Sequence, residues 1–187
     1  TAPTSDYSYY GFKIHEIVEM ELVNMGQYAH GNQPIQHAIY FYNYVQEPWK
    51  TQEKVRYVLN NLYGDGPDGY CGDEDNGQTS AWFLFSAMGF YPVAPVTGQY
   101  VIGSPLFDAM EITLDNGNKI NIVAKNNNES SMYVNQLKLN KSQYTKNWFS
   151  HTDLRQGASI IFNMGEKPNF NWGSQEKDVP YSMSTAK

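Results

Sequence analysis

Gln78-Thr79-Ser80-Ala81-Trp82-Phe83-Leu84-Phe85-Ser86-Ala87-Met88-Gly89 is the stretch whose reading decides the fold. Ala81, Trp82, Phe83, Leu84, Phe85 and Ala87 make a helix over 78–88 that is apolar nearly all round, and such a helix belongs inside a larger body. Gly89 suits its C-terminal turn, where glycine adopts a left-handed backbone at no steric cost. Upstream of this helix the apolar spacing is helical; downstream of Pro95 it shortens to a period of two.

The upstream half predicts three more helices. Ile14, Ile17, Val18 and Leu22 predict one over 12–25, and Ile39, Tyr40, Tyr42 and Tyr44 one over 36–45, interrupted by Pro48. Val55, Val58, Leu59 and Leu62 form the stripe of a helix that begins near Thr51, a plausible N-cap, and ends at Gly64. Gly64-Asp65-Gly66-Pro67-Asp68-Gly69 is turn chemistry throughout. The downstream half predicts strands over 100–103, 110–114, 119–123, 131–139 and 158–162. Asn116-Gly117 between two alternating runs signals a hairpin. The polar tail from Gly165 should wind across the surface. The fold class expected is α+β, with a helical segment over 1–96 and a β-rich segment over 97–187. About four helices cannot cover one another and also hide the apolar one, so further chain is expected around them.

Composition excludes several function classes. Against 13 Lys and Arg stand 19 Asp and Glu, a formal charge of −6, so no nucleic-acid partner is expected. No apolar run approaches the roughly 20 residues of a membrane span. One cysteine, Cys71, permits neither an internal disulfide nor a Cys-rich zinc site, and it reads as structural. Any export signal would lie outside this chain.

Chemistry concentrates at Cys71-Gly72-Asp73-Glu74-Asp75-Asn76-Gly77, where the apolar helix is entered. The positive end of a helix accommodates one acid readily; three in a row also fit a bound cation or a jointly activated water. In an extended loop, Asp73 and Asp75 would project to one side. An EF-hand is excluded by its missing Glu, and a Ser–His–Asp triad by the absence of any nucleophile signature. A second loop, His30-Gly31-Asn32-Gln33-Pro34, holds oxygens of the kind calcium takes at Asn32 and Gln33, and a neutral donor for a sugar hydroxyl at His30. The same amides serve equally as partners for local backbone.

Asp73–Gln78, Ser80-Ala81-Trp82 and Ala87-Met88-Gly89-Phe90-Tyr91-Pro92-Val93 together resemble the signature of the family 92 glycoside hydrolases, calcium-dependent exo-α-mannosidases. His30–Pro34, Tyr42-Asn43-Tyr44, Pro48–Gln52, Pro67–Tyr70, Tyr100–Phe107 and Met164–Asn169 follow as ordered landmarks. The resemblance implies the last helices of an (α/α)6 barrel followed by a β-rich carboxyl-terminal segment, an amino-terminal β-sandwich lying outside this chain. It implies hydrolysis of terminal α-linked mannose with inversion. Asp75 would be the general base and Asp73 its partner on the same water. His30 and Glu74 would bind substrate, Asn32 and Gln33 would ligate calcium, and the general acid would lie outside the chain. Implied partners are an α-mannoside glycan and the remainder of the same enzyme; the implied location is secreted or periplasmic, with surface attachment through another segment. The alternatives are a non-catalytic carbohydrate-binding or structural piece lacking the acid, and another (α/α)6 enzyme such as a phosphorylase, for which no phosphate cradle is present.

Overall fold

A computed structural model of the chain describes residues 12–184. Among the described residues there are four α-helices, eight strands and three 3₁₀ segments, and the fold is α+β. Helix α1 (His15–Val23) is shorter than its stripe predicts, because Leu22 and Val18 find no cover and only Val23 is buried. The segment Gln33–Asn43 is a 3₁₀ helix with Pro34 in its first turn, burying Gln36, Ile39, Tyr40 and Asn43 on one face. Pro48 does not merely interrupt this segment. It opens α2 (Pro48–Asn61), where a residue without an N–H loses nothing at the first helical position. Thr51 is therefore inside the first turn rather than capping it, and its buried hydroxyl donates to the Ile39 carbonyl at 2.9 Å. Helix α3 (Gln78–Met88) has the predicted bounds and ends on Gly89 at φ 95°.

Two sheets follow. Strands β1 (Phe90–Tyr91), β2 (Gln99–Ile102) and β7 (Trp148–Ser150) form a small antiparallel sheet in the order β1-β2-β7. The larger sheet runs β3-β4-β8-β5-β6, built from β3 (Ala109–Thr113), β4 (Lys119–Lys125), β5 (Tyr133–Leu139), β6 (Ser142–Gln143) and β8 (Ala158–Gly165). Only β4 and β8 pair in parallel, with Ile120 opposite Ala158 and Ile122 opposite Ile160. The hairpin at Asn116-Gly117 forms as predicted, with Gly117 at φ 79° and the Leu114 N–H donating to the Asn118 carbonyl at 2.8 Å. A single turn, α4 (His151–Leu154), is closed by a reciprocal Ser150–Asp153 capping box.

Two apolar cores meet at α3 and β2. Trp82 joins Ile39, Tyr40, Val55, Val58, Leu59 and Val101 in the helical core. Phe85 and Met88, one turn on, pack against the β core of Phe90, Ile102, Ile122, Leu137, Phe149, Ile160 and Phe162. Thus α3 is apolar all round because it faces two cores; Trp82 is fully buried by this chain, while Leu84 is left 60% exposed. The tail is more than a surface strap. Trp172 is buried with its indole N–H donating to the Tyr144 carbonyl at 3.1 Å, and Asp178 accepts from the Thr145 hydroxyl at 2.8 Å.

Candidate active site

The loop after α2 returns on itself. The Gly64 N–H donates to the Gly69 carbonyl at 2.8 Å, and Tyr70 stands edge-on to Tyr63 with ring centroids 5.7 Å apart. This return delivers Cys71–Gly77 to the N-terminus of α3. The turn that follows is not extended: Asp75, Asn76 and Gly77 have φ of 49°, 55° and 93°, three left-handed residues in succession. The expectation that alternation aligns Asp73 and Asp75 is therefore corrected. Two of the three residues carry a Cβ in that region, a conformation that surrounding structure must impose.

Glu74 is what imposes it. Its carboxylate accepts the Gly77 N–H at 2.6 Å and the Ser80 N–H at 3.3 Å. These are two of the N–H groups that an α-helix leaves without partners, and α3 has no other side-chain cap. Hydrogen bonds from Ser80 and Gly77 hold the Glu74 carboxyl below the usual range, so it is ionised as a helix cap. A substrate contact by Glu74 would use the acceptor capacity that these two bonds leave, and stays a proposal. Asp73 and Asp75 remain, both exposed. The Asp73 carboxylate lies 4.0 Å from the His15 ring on α1.

The second loop sits directly against this turn. The Gln33 side-chain amide donates to the Asp73 carbonyl at 2.7 Å and to the Thr79 hydroxyl at 3.2 Å. Gly31 and Gly72 touch backbone to backbone: a Cβ on Gly72 would stand 2.5 Å from the Gly31 Cα, so neither position admits another residue. The Glu19 carboxylate lies over both glycines, and burial pushes its pKa up, His15 opposing and Asp73 and Glu16 adding to the rise. Glu19, Tyr63, Asp65, Asp68 and Tyr70 border a cavity of about 540 Å³ beside the turn. Of the other α1 acids, Glu21 pairs with Lys13 at 2.8 Å and Glu16 with His15 at 3.4 Å.

His30 does not face solvent. It is fully buried, Nδ1 lying 2.7 Å from the Tyr28 hydroxyl and Nε2 2.8 Å from the Tyr63 hydroxyl, with Trp82 edge-on at 4.3 Å. The Tyr28 hydroxyl reaches the Gln36 carbonyl at 3.3 Å, so a single direction satisfies every donor. Tyr63 donates to Nε2, Nδ1–H donates to Tyr28, and Tyr28 donates to Gln36. Burial lowers the His30 pKa to about 3 and raises those of Tyr28 and Tyr63. With both ring nitrogens engaged, His30 supports the loop from beneath, and the bonds it makes go to Tyr28 and Tyr63 rather than to the surface.

Asn32 precedes the 3₁₀ helix without capping it through its side chain. Because Gln33 donates through its amide nitrogen, its oxygen and that of Asn32 are the hard donors this loop offers. Among the described residues no group of three His, Cys, Asp or Glu is arranged to hold a metal. Any cation here would be held by amide, carboxylate and backbone oxygens, a donor set that fits calcium and not zinc. Cys71 is half-buried, and burial pushes its thiol up to about 11, so it is an inert thiol as the sequence suggests. Sequence reasoning passed over Gln36 and Thr79, buried polar residues that tie the two loops together; no motif marks either.

The chain is similar to known proteins over most of its length. A solved family GH92 inverting mannosidase from Bacteroides thetaiotaomicron is 50% identical, covers 98% of this chain and superposes with a TM-score of 0.82. A family GH92 α-mannosidase from the same organism is 40% identical over 86% of the chain, with a TM-score of 0.84. A protein of Arthroderma benhamiae described as an uncharacterized secreted glycosidase is 28% identical over 156 residues, 82% of this chain. The chain spans 25%, 22% and 20% of the lengths of these three proteins. The family model for the glycosyl hydrolase family 92 catalytic domain matches residues 5–166, a range that contains both loops, the capped acidic turn and α3. The chain belongs to glycosyl hydrolase family 92.

Proposed function

We propose that this chain carries the water-activating side of an inverting exo-α-mannosidase, acting with the remainder of a larger enzyme. The observation that carries the reading is the division of labour among three consecutive acids. Glu74 is committed to α3, whereas Asp73 and Asp75 stand exposed on a turn whose backbone is held on both sides. In this reading Asp75 takes a proton from water as the oxygen attacks the anomeric carbon, and Asp73 orients the same water. The bond from that carbon to the leaving oxygen breaks as a carboxylic acid from outside this chain protonates the oxygen. An inverting site separates its two carboxyl centres by roughly 6.5–9.5 Å to admit the water. That gap leaves room for an acid contributed by another part of the polypeptide.

Asn32 and Gln33 would supply oxygens to calcium, with Asp73 beside them. Bound there, the ion would coordinate and orient hydroxyls of the terminal mannose. The last helices of an (α/α)6 barrel are the proposed setting for α1 to α3, and the exposed Leu22 and Leu84 are the surfaces the rest of that barrel would cover. Secretion or a periplasmic location is proposed from the substrate class and from the secreted fungal relative. No helix among the described residues is long and apolar enough to cross a membrane.

The test is release of mannose from α-linked disaccharides by the complete enzyme, with and without a chelator, the anomer of the first product being read by NMR. β-Mannose as the initial product supports inversion. α-Mannose would overturn it, and no mannose at all would overturn the reading.

A further inference from the structure

We infer that Thr79 is a positioning residue for the proposed reaction, its hydroxyl docking the acidic turn onto the His30–Pro34 loop. The inference rests on the reading of that turn as the hydrolytic site. Thr79 is 1% exposed, the second residue of an apolar helix, and its hydroxyl meets three partners. It donates to the Asp73 carbonyl at 2.9 Å and lies 3.2 Å from the Gln33 amide nitrogen and 3.4 Å from that of Gln36. A hydroxyl has one proton and two lone pairs, and here all are engaged.

The Asp73 carbonyl is held just as fully. It accepts from Thr79 and from Gln33, which fixes the plane of the peptide between Asp73 and Glu74. From one side of that plane leaves the Asp73 carboxylate; on the other, Glu74 turns back to cap α3. The Gly31–Gly72 contact closes the same seam without any side chain. Gln36 extends the junction downward, its amide nitrogen also reaching the His30 carbonyl at 3.2 Å. Thr79 is thus the point where the 3₁₀ helix, the amide loop and the acidic turn share one atom. Without its hydroxyl the turn is still capped by Glu74, but it is free to shift against the loop that faces it.

Three variants of the complete enzyme test this. Thr79→Val preserves shape and removes the donor and both acceptors. It should lower kcat by about 10- to 100-fold with little change in KM, since a displacement near 1 Å costs on that order. Thr79→Ser restores the hydroxyl and should return kcat to within about threefold of wild type, and Thr79→Ala, which cannot clash, replaces the valine variant if that one fails to fold. Hydrogen exchange gives a reading independent of turnover. Amides of 31–35 and 72–78 should exchange faster together in Thr79→Val and recover together in Thr79→Ser, with the β sheet unchanged. Wild-type kcat and exchange in Thr79→Val would overturn the inference. So would a loss that serine does not rescue, or faster exchange in one loop alone. A wild-type enzyme that releases no mannose would overturn the reading of the site, and the exchange comparison then decides the docking by itself.

Discussion

Asn43 and Asn147, 104 residues apart, exchange side-chain hydrogen bonds. The Asn43 amide donates to the Asn147 carbonyl at 3.1 Å and the Asn147 amide to the Asn43 carbonyl at 3.0 Å. Asn43 also reaches the Ile102 carbonyl, and Asn147 the Gly173 carbonyl. Both side chains are fully buried and reach four backbone carbonyls, from the 3₁₀ helix, β2, the loop before β7 and the tail; the carbonyl of Asn147 also accepts the Ile102 N–H at 2.9 Å.

Asn43→Ala and Asn147→Ala should each lower the unfolding free energy by about 1–3 kcal/mol, the cost of leaving buried acceptors unpaired. Alanine keeps the backbone carbonyl to which the partner side chain donates, so each change breaks only its own side chain's bonds. The double variant should lose less than the sum to the extent that the first change already loosens the backbone the two share. Urea titration of the four proteins checks this; strict additivity would show that the two amides act separately.

Asp75→Asn in the complete enzyme should retain the wild-type fold and lose about 10²- to 10⁴-fold in kcat, the usual contribution of a general base. Asp73→Asn should also slow turnover, by altering the orientation of the same water. Steady-state kinetics on an α-mannoside, with circular dichroism as the folding control, decides the assignment. A folded Asp75→Asn enzyme with wild-type kcat would remove Asp75 from the mechanism.

Glu74→Ala should behave differently, because its carboxylate is committed to the backbone. The variant should lose thermal stability, whereas Glu74→Gln should recover part of it through one retained acceptor. The folded-state pKa is depressed, so the cap's contribution is present above the ordinary glutamate value and is lost as pH falls through the folded one. The thermal midpoints of wild type and Glu74→Ala should therefore draw together as pH is lowered below the ordinary glutamate value. A constant gap would separate Glu74 from the helix terminus.

His30 gives a second titration of the same sign, from a group held neutral instead of charged. Folding holds it neutral, with a pKa lowered to about 3, while the unfolded chain titrates near the ordinary histidine value of about 6.5. Between those values the unfolded state binds the extra proton. Stability should fall as pH drops through the window, by at most about 1.4 kcal/mol per pH unit. His30→Gln should flatten that slope even if it lowers overall stability. An unchanged slope would place the acid sensitivity elsewhere.

Calcium dependence tests the amide loop. Asn32→Ala should raise the calcium concentration needed for half-maximal activity, and excess calcium should recover part of the rate, because one lost oxygen among several weakens binding without abolishing it. Calcium titration by calorimetry gives the same answer without turnover. Activity lost with no change in calcium affinity would indicate a direct sugar contact.

Much of the β half was legible because period two, Asn116-Gly117 and short spacing are local signals. Helix α3 was legible to the residue, since Gly77 and Gly89 flank its apolar run. The start of α2 was not: Thr51 looks like a cap in sequence, yet Pro48 provides a better first position and the Thr51 hydroxyl finds a tertiary partner. Nor can sequence tell which of three adjacent acids serves the backbone. That choice depends on the left-handed path through Asp75, Asn76 and Gly77, which Glu74 and the Gly31–Gly72 contact impose together. The burial of His30 was not legible for a related reason. A histidine in a short loop looks solvent-facing until Tyr28 beside it, Tyr63 just after α2 and Trp82 on α3 close around it.

The position of β8 has a consequence for the order in which the molecule can assemble. This is the last strand among the described residues, yet it lies in the middle of the larger sheet, between β4 and β5. The β3–β4 and β5–β6 pairs are each joined by short turns and can form early as separate ribbons. Neither has a partner for its inner edge until Ala158–Gly165 arrives, and the parallel pairing to β4 closes only after some thirty residues of intervening chain. A ribosome would therefore expose two sticky strand edges before the one segment that joins them emerges. A truncation ahead of residue 158 would leave an unclosed sheet prone to pairing with its own copies, while the acidic turn, made much earlier, would remain intact in sequence but without the β core on which α3 rests.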